Sequence, residues 1–341
     1  MTIKISKLTH QEIPGLLGFM EQSLKTWPIF NELWHWREQG MPESGGEEAI
    51  VAKAEDSVVG CIGVVPLMVT VKGQPVRACW QQDSLVSSAM RGRGLGKKLV
   101  AEAEKGYHLV MAKGTSPAMY RLRKSVGFLD VDNADYLVRV LKPAAISNPF
   151  KKYLIECGLW VYGALVPFPR GRDNLQVASI RHFDREFDDL AKKRSAENVI
   201  IPFKSADFLN WRYFRCPIKT YTVFKAYDAG LRGAIVLNIP QKDASGDGWI
   251  VDLICAPDDA ACAYGLLRRA LAFFKEHHVQ RVFTFATLPA ARRWFFRIGF
   301  LPTGKTPRFT YRYLEEGHSG LALEGLNWNF WHGDGDVELY S

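Results

Sequence analysis

The stretch Asp83-Ser84-Leu85-Val86-Ser87-Ser88-Ala89-Met90-Arg91-Gly92-Arg93-Gly94-Leu95-Gly96-Lys97-Lys98-Leu99 runs from an apolar strand ending at Val86, through three alternate glycines, into a helix. Without Cβ atoms at 92, 94 and 96, successive backbone N–H groups can converge on one anion at the positive end of the helix dipole. Arg91, Arg93, Lys97 and Lys98 add positive charge around that point, and a pyrophosphate is the expected occupant. Two well-known phosphate loops do not fit. A Walker loop needs G-x-x-x-x-G-K-[ST], but Gly92 to Lys97 is one residue short and Lys98 stands where the Mg²⁺-binding hydroxyl belongs. A dinucleotide fingerprint needs G-x-G-x-x-G in an early βαβ unit, whereas this turn has a different spacing and follows hairpin strands. Nucleotide triphosphatases and nicotinamide dehydrogenases are therefore not supported.

Working outward, apolar periodicity predicts strands or helices over Ile3–Leu8, Gln11–Leu24, Ile50–Ala54, Val58–Val71, Val76–Val86, Gly96–Tyr107, Leu109–Ala112, Pro117–Ser125 and Tyr136–Leu141. Lys72-Gly73-Gln74-Pro75 reads as a hairpin turn between alternating runs. The same order recurs later in the chain. Trp36, Arg37 and Pro42 return as Trp211, Arg212 and Pro217, and Gly127-Phe128 returns as Gly299-Phe300. The offset stays nearly constant, which is the mark of an internal repeat. The expected fold class is α/β (α+β): two tandem domains, each a mixed, mostly antiparallel sheet flanked by helices. Boundaries are expected at 1–142 and 174–341, with 143–173 a linker that carries an apolar helix over Leu154 to Phe168.

Composition sets the class of molecule. The chain has 341 residues, 47% hydrophobic and 23% charged, which excludes disorder as the dominant state and suits two domains. Lys and Arg exceed Asp and Glu by 8, favouring acidic partners such as phosphate-rich cofactors. No tract of five or more basic residues occurs, so no nucleic-acid partner is expected. The six cysteines, Cys61, Cys79, Cys157, Cys216, Cys255 and Cys262, form no C-x-x-C pair or zinc-finger spacing; no metal is expected. The apolar run at 154–168 is shorter than the ~20 residues that span a bilayer. It reads as a packed helix, membrane association is not expected, and a reducing cytoplasm is the expected compartment.

Arg91-x-x-Gly94-x-Gly96 after a strand ending at Val86 resembles the acyl-CoA-binding motif of the GNAT superfamily of N-acetyltransferases. About thirty residues on, Ala118-Met119-Tyr120-Arg121-Leu122-Arg123-Lys124-Ser125-Val126-Gly127-Phe128 is similar to the family's second signature, a helix ending in Gly-Phe. Ala291 to Phe300 repeats that signature, so the resemblance covers nearly the whole chain as a tandem GNAT protein. It implies acetyl-CoA or another acyl-CoA as co-substrate. The implied cofactor contacts are Leu85, Val86, Arg91, Gly92, Arg93, Gly94, Leu95, Gly96 and Lys97. The counterpart turn, Ala260-Ala261-Cys262-Ala263-Tyr264-Gly265, has lost the arginine and one glycine. Acyl-CoA is expected in the first copy only, with the second shaping the cleft.

The resemblance further implies transfer of the acyl group to an amine of a small metabolite or amino sugar by direct attack on the thioester. The backbone N–H of Val86 is the implied oxyanion donor. The family's usual thiolate acid is a tyrosine four residues before the Gly-Phe glycine, and Arg123 stands there instead. Tyr120 and Ser116 are alternative donors; helix packing and N-capping are their plainer readings. Asp83 is a candidate base, although the recurrence of Asp252 in the copy without the motif favours a structural role. Gln82 and Ser84 are candidate substrate contacts, and strict alternation would put them on the face opposite Asp83. In the tail, Asp334 and Asp336 could bind an ammonium and His332 could titrate as a base, or the whole segment could be a solvated turn. Two rival readings stay open: a donor on an acyl carrier protein or with a long chain, and a module that binds acyl-CoA without turnover.

Overall fold

The computed structural model describes residues 2–24, 27–40, 42, 48–142, 150, 174–195, 199–240, 246–314, 323 and 325–340. The expected apolar helix at Leu154 to Phe168 lies outside them. Among the described residues no helix is long and apolar enough to cross a membrane.

The first sheet opens with β1 (Ile3–Lys7), β2 (Glu48–Ala54), β3 (Ser57–Val71), β4 (Gln74–Val86) and β5 (Leu109–Ala112), each beside the next. Only β4 and β5 run parallel; the other steps are antiparallel. The β3–β4 hairpin turns on Lys72 and Gly73 alone, both at positive φ, as a two-residue hairpin loop requires. Gln74 and Pro75, expected in the turn, already pair with Val71 and Thr70. The helices are α1 (Ile13–Ser23), α2 (Trp27–Gly40), α3 (Leu95–Ala103) and α4 (Pro117–Ser125). No expectation covered α2, yet its buried Phe30, Leu33, Trp34 and Arg37 follow helical spacing.

The second sheet repeats this order with β8 (Gln176–Ile180), β10 (Thr222–Tyr227), β11 (Leu231–Asn238), β12 (Asp247–Cys255) and β13 (Arg281–Phe285), of which β12 and β13 are the parallel pair. Its helices are α5 (Glu186–Ser195), α6 (Ala206–Leu209), which runs on as a π turn over Asn210–Phe214, α7 (Ala260–Glu276) and α8 (Pro289–Arg297).

The two copies then exchange strands. In the first sheet, β15 (Thr310–Tyr313) enters between β5 and β6 (Leu129–Asp130). In the second, β7 (Tyr136–Val140) enters between β13 and β14 (Leu301–Pro302). Each copy's late strand thus completes the other's sheet, so the pairing crosses the sequence division at 142. Further exchange follows at the far end of β3, where β9 (Val199–Pro202) pairs with Val69–Val71 and β16 (Asn327–Trp328) pairs with β9. One apolar core consequently mixes Val69, Trp80 and Met111 with Trp211, Phe285, Phe309 and Phe330. On this shared core Trp36 and Trp211, the residues matched in the sequence repeat, stack with ring centroids 4.1 Å apart and planes 9° apart.

Candidate functional site

β4 and β5 pair only from Ala78↔Leu109 to Trp80↔Met111. Beyond Trp80 the strands part, because β4 carries a bulge. Asp83 has φ 47°, and the register against β3 slips between Cys61↔Leu85 and Gly63↔Gln82. Two residues, Asp83 and Ser84, therefore oppose Ile62 alone. The bulge also corrects the alternation expectation: Gln82, Asp83 and Ser84 all line one cavity. Past it, Ser87 donates to the Val59 carbonyl at 2.9 Å. Antiparallel alternation then turns the N–H and C=O of Val86 away from β3, into the gap. The Arg91 Nε accordingly reaches the Val86 carbonyl at 3.2 Å.

At the end of β4 the chain makes the glycine turn. Gly92 and Gly94 have φ 77° and 75°, with no atom within 4 Å of a would-be Cβ. Gly94 caps α3 without a side-chain bond, and the first intrahelical donor is Lys98, at 3.3 Å from the Gly94 carbonyl. The N–H groups ahead of it are open to an anion at a dipole terminus. Gly96 serves contact instead: a Cβ there would stand 2.7 Å from the Leu122 side chain of α4. Between α3 and α4 a cavity of about 710 Å³ runs from Arg91 and Lys97 past Leu85 and Val86 to Ser116 and Met119.

A second cavity, about 480 Å³, continues from Ser84, Ser116 and Met119 into the β4–β5 gap. Its walls hold Lys113 and Arg123, and the C-terminal tail closes it with Asp336, Val337 and Tyr340. Lys113 is buried, donates to the carbonyls of Trp331 (3.2 Å) and His332 (3.0 Å), and is pushed down to about 8 by burial. Arg123 is 1% exposed and donates to the Gln81 carbonyl at 3.4 Å, while its Nε and Nη1 have no acceptor among the described residues. Burial lowers it to about 10. Asp83 accepts from Arg37 and from the Tyr340 hydroxyl, both at 3.3 Å. Ser116 caps α4 through the Met119 N–H (3.3 Å) and lines both cavities, so capping and lining coexist. Beyond Gln82 and Asp336 lies a third cavity of about 230 Å³, walled by Trp36, Trp80, Phe203, Phe208 and Trp211. Burial raises the Asp336 carboxyl above its ordinary range, against the pull of Arg37.

Three expected site residues need correction. Tyr120 lies outside all three cavities: one position on from Met119, it leaves the gap, and its hydroxyl donates to Asp130 at 3.0 Å. The tail is not a solvated turn, and His332 is not poised as a base. It is 1% exposed, stacks on Trp249 at 4.2 Å and is held well below its ordinary value by burial and by Lys113. Asp334 edges the third cavity but is already balanced, accepting from Lys204 at 2.8 Å and from the Trp331 N–H at 2.7 Å. The same Lys204 binds Asp252 at 2.6 Å, and Tyr213 donates to Asp252 at 2.7 Å. Lys113, Arg37 and Tyr340 were missed. Only Arg37 left a trace in the sequence, through its recurrence as Arg212.

The second copy has filled its own phosphate position. The Asp259 carboxylate caps α7 by accepting from the Cys262 N–H (3.1 Å) and pairs with Arg232. Leu175 packs against Gly265, 2.4 Å from where a Cβ would be. A negative charge and a leucine leave no room for phosphate at that helix.

Residues 18–117 match the family model described as the Acetyltransferase (GNAT) family. No curated protein matches the chain. Among solved structures, a GCN5-related N-acetyltransferase from Anabaena variabilis superposes with TM-score 0.61 at 14% identity, over 92% of this chain and 73% of that one. A tandem GNAT protein from the clavulanic acid biosynthesis pathway gives 0.52 at 11%, over 92% and 98%. Saccharomyces cerevisiae N-myristoyltransferase with bound myristoyl-CoA gives 0.53 at 11%, over 92% and 79%. At these identities the likeness is one of fold.

Proposed function

We propose that this chain, whose residues 18–117 match the GNAT acetyltransferase family model and whose fold is like that of a tandem GNAT protein, is itself a tandem GNAT protein and an acyl-CoA-dependent N-acyltransferase working in its first copy. One observation carries the reading: the three cavities share walls, running from the open glycine turn, through the β4–β5 gap, to Asp336 and the aromatic recess. The pyrophosphate sits on the N–H groups of the turn through Lys97, beside Arg91 and Arg93, and the acyl-bearing arm follows Leu85 and Val86 into the gap. There the Val86 N–H donates to the carbonyl oxygen as negative charge develops on it. Gln82 and Asp336 face the incoming amine from the far side.

The amine lone pair forms the C–N bond as the C–S bond breaks. Asp336, whose carboxyl burial raises above its ordinary value and which stands where the two cavities meet, takes the ammonium proton. The Tyr340 hydroxyl, held on Asp83, donates to the departing sulfur; Ser116 stands on the same wall. Arg123 adds a cation next to that sulfur, where a growing thiolate is stabilised by charge. A rival reading, binding without turnover, draws on Arg123 standing where the family keeps a tyrosine. Steady-state thiol release with a broad amine panel separates the two.

Acetyl-CoA is the donor to test first, with longer acyl-CoA and acyl carrier protein as comparison arms. In calorimetric titration the wild-type chain should bind acetyl-CoA. Gly94→Leu should lose that binding with its circular dichroism unchanged, because a side chain at φ 75° is strained and fills the anion's approach. Asp259→Asn, in the plugged second copy, should bind as the wild type does. Equal affinity for Gly94→Leu overturns the assignment.

A further inference from the structure

We infer that the acceptor is a primary amine carrying a small, flat, apolar or aromatic body, seated between Trp36, Trp80, Phe203, Phe208 and Trp211 with its nitrogen at Asp336. The inference rests on the acyl-transfer reading above and specifies its second substrate. The third cavity shares Gln82 and Asp336 with the gap where the thioester is placed, so a molecule in it can present one end to the reacting carbon. At about 230 Å³ it falls below the ~300–1,000 Å³ typical of drug-sized sites, which suits a body of about one or two rings.

Of the charged groups on its wall, Arg77 is exposed and lies over the Tyr107 ring at 5.0 Å, and three others are already committed. Arg212 donates to Glu338 at 2.7 Å, to the Tyr221 hydroxyl at 3.2 Å and to the Gly333 carbonyl at 3.3 Å. Arg37 is on Asp83, and Asp334 is on Lys204. Asp336 is the carboxylate on the wall common to both cavities, with Arg37 and Arg212 on the same wall, and much of the remaining lining is aromatic and aliphatic. Trp36 and Trp211 form one stacked face, and Phe208 tilts against Trp211 at 5.6 Å. A polyhydroxylated or polycationic amine would strip water from groups that find few partners here, whereas a ring gains contact on several sides. This turns the expectation away from amino sugars.

The test compares 2-phenylethylamine and tryptamine with glucosamine and spermidine, using acetyl-CoA as donor. Binding of each amine in the presence of CoA is followed in parallel by tryptophan fluorescence. The aromatic amines should show at least tenfold higher kcat/KM and tighter binding. Phe208→Ala should raise the KM for the aromatic amines about tenfold and leave calorimetric affinity for acetyl-CoA unchanged. If acetyl-CoA binds and the polar amines match or exceed the aromatic ones, or no aromatic amine binds, the inference fails and the acyl-transfer reading survives. An aromatic preference indifferent to Phe208→Ala overturns the seat assigned to the ring. If the wild-type chain fails to bind acetyl-CoA at all, it is the acyl-transfer reading that falls.

Discussion

Asp334 and Asp336 are two positions apart and have different tasks. The first is neutralised by Lys204 and closes a turn on the Trp331 N–H; the second stands at the junction of two cavities. The sequence offered both as equals, since partners supplied by Lys204 and Arg37 from far along the chain leave no local signature. Tyr340 illustrates the same limit, being a phenol brought to the gap from 257 residues further along the chain than Asp83. Its removal is informative: Tyr340→Phe should lower kcat by about 10²–10⁴-fold, the span of general acid catalysis, with little change in acetyl-CoA affinity. An unchanged kcat in steady-state thiol release would reassign the proton to Ser116 or water. His332 makes a second, purely thermodynamic prediction. Burial keeps it neutral well below the ordinary 6.5, so below about pH 6.5 the unfolded chain binds a proton that the native one does not. Stability should therefore fall with acid by up to about 1.4 kcal/mol per pH unit through this group. In urea titrations from pH 7 to 5, His332→Phe should show the shallower decline.

At the scale of elements, patterns confined to a few residues were legible and those set by a single inserted residue or a distant partner were not. The helix Pro117–Ser125 stands as read, with Ser116 capping it and Pro117 in its first turn. The β3–β4 hairpin and the glycine turn are also where alternation and spacing put them. The bulge at Asp83 escaped, because one extra residue leaves the apolar pattern on either side intact and only shifts which face it meets. α2 was hidden by its Trp, Pro and His content, which weakens the local helical signal while tertiary packing of Phe30, Leu33 and Trp34 supplies the stability. The exchanged strands read as ordinary strands, but nothing local says whose sheet they join. β15 is hydrogen-bonded on both sides at Thr310 and Tyr311, so a residue without an N–H breaks a ladder there. Tyr311→Pro should lower Tm and weaken acetyl-CoA binding together, since β5 borders the gap; a lowered Tm with unchanged affinity would show that β15 supports the sheet without shaping the site.

For the whole molecule, the copy without the open glycine turn supplies much of what surrounds the first copy's cavities. It lends β15 to the first sheet, lays β9 along β3, and sends the tail to close the gap and form the wall of the aromatic cavity. In return it receives β7. Residues 1–142 and 174–341 expressed apart should each be insoluble, with a vacant strand position lined by apolar residues such as Leu109, Val110 and Met111. Expressed together they should recover a soluble pair that co-purifies; a monomeric, well-folded first half would disprove the dependence. The exchange also governs how the protein is born. On a ribosome adding ~5–20 residues per second, β5 emerges early, but its neighbour β15 is encoded roughly 200 codons later. For tens of seconds the nascent first half must carry an unfinished sheet, so holding chaperones and translation speed belong to the route by which this site comes into being.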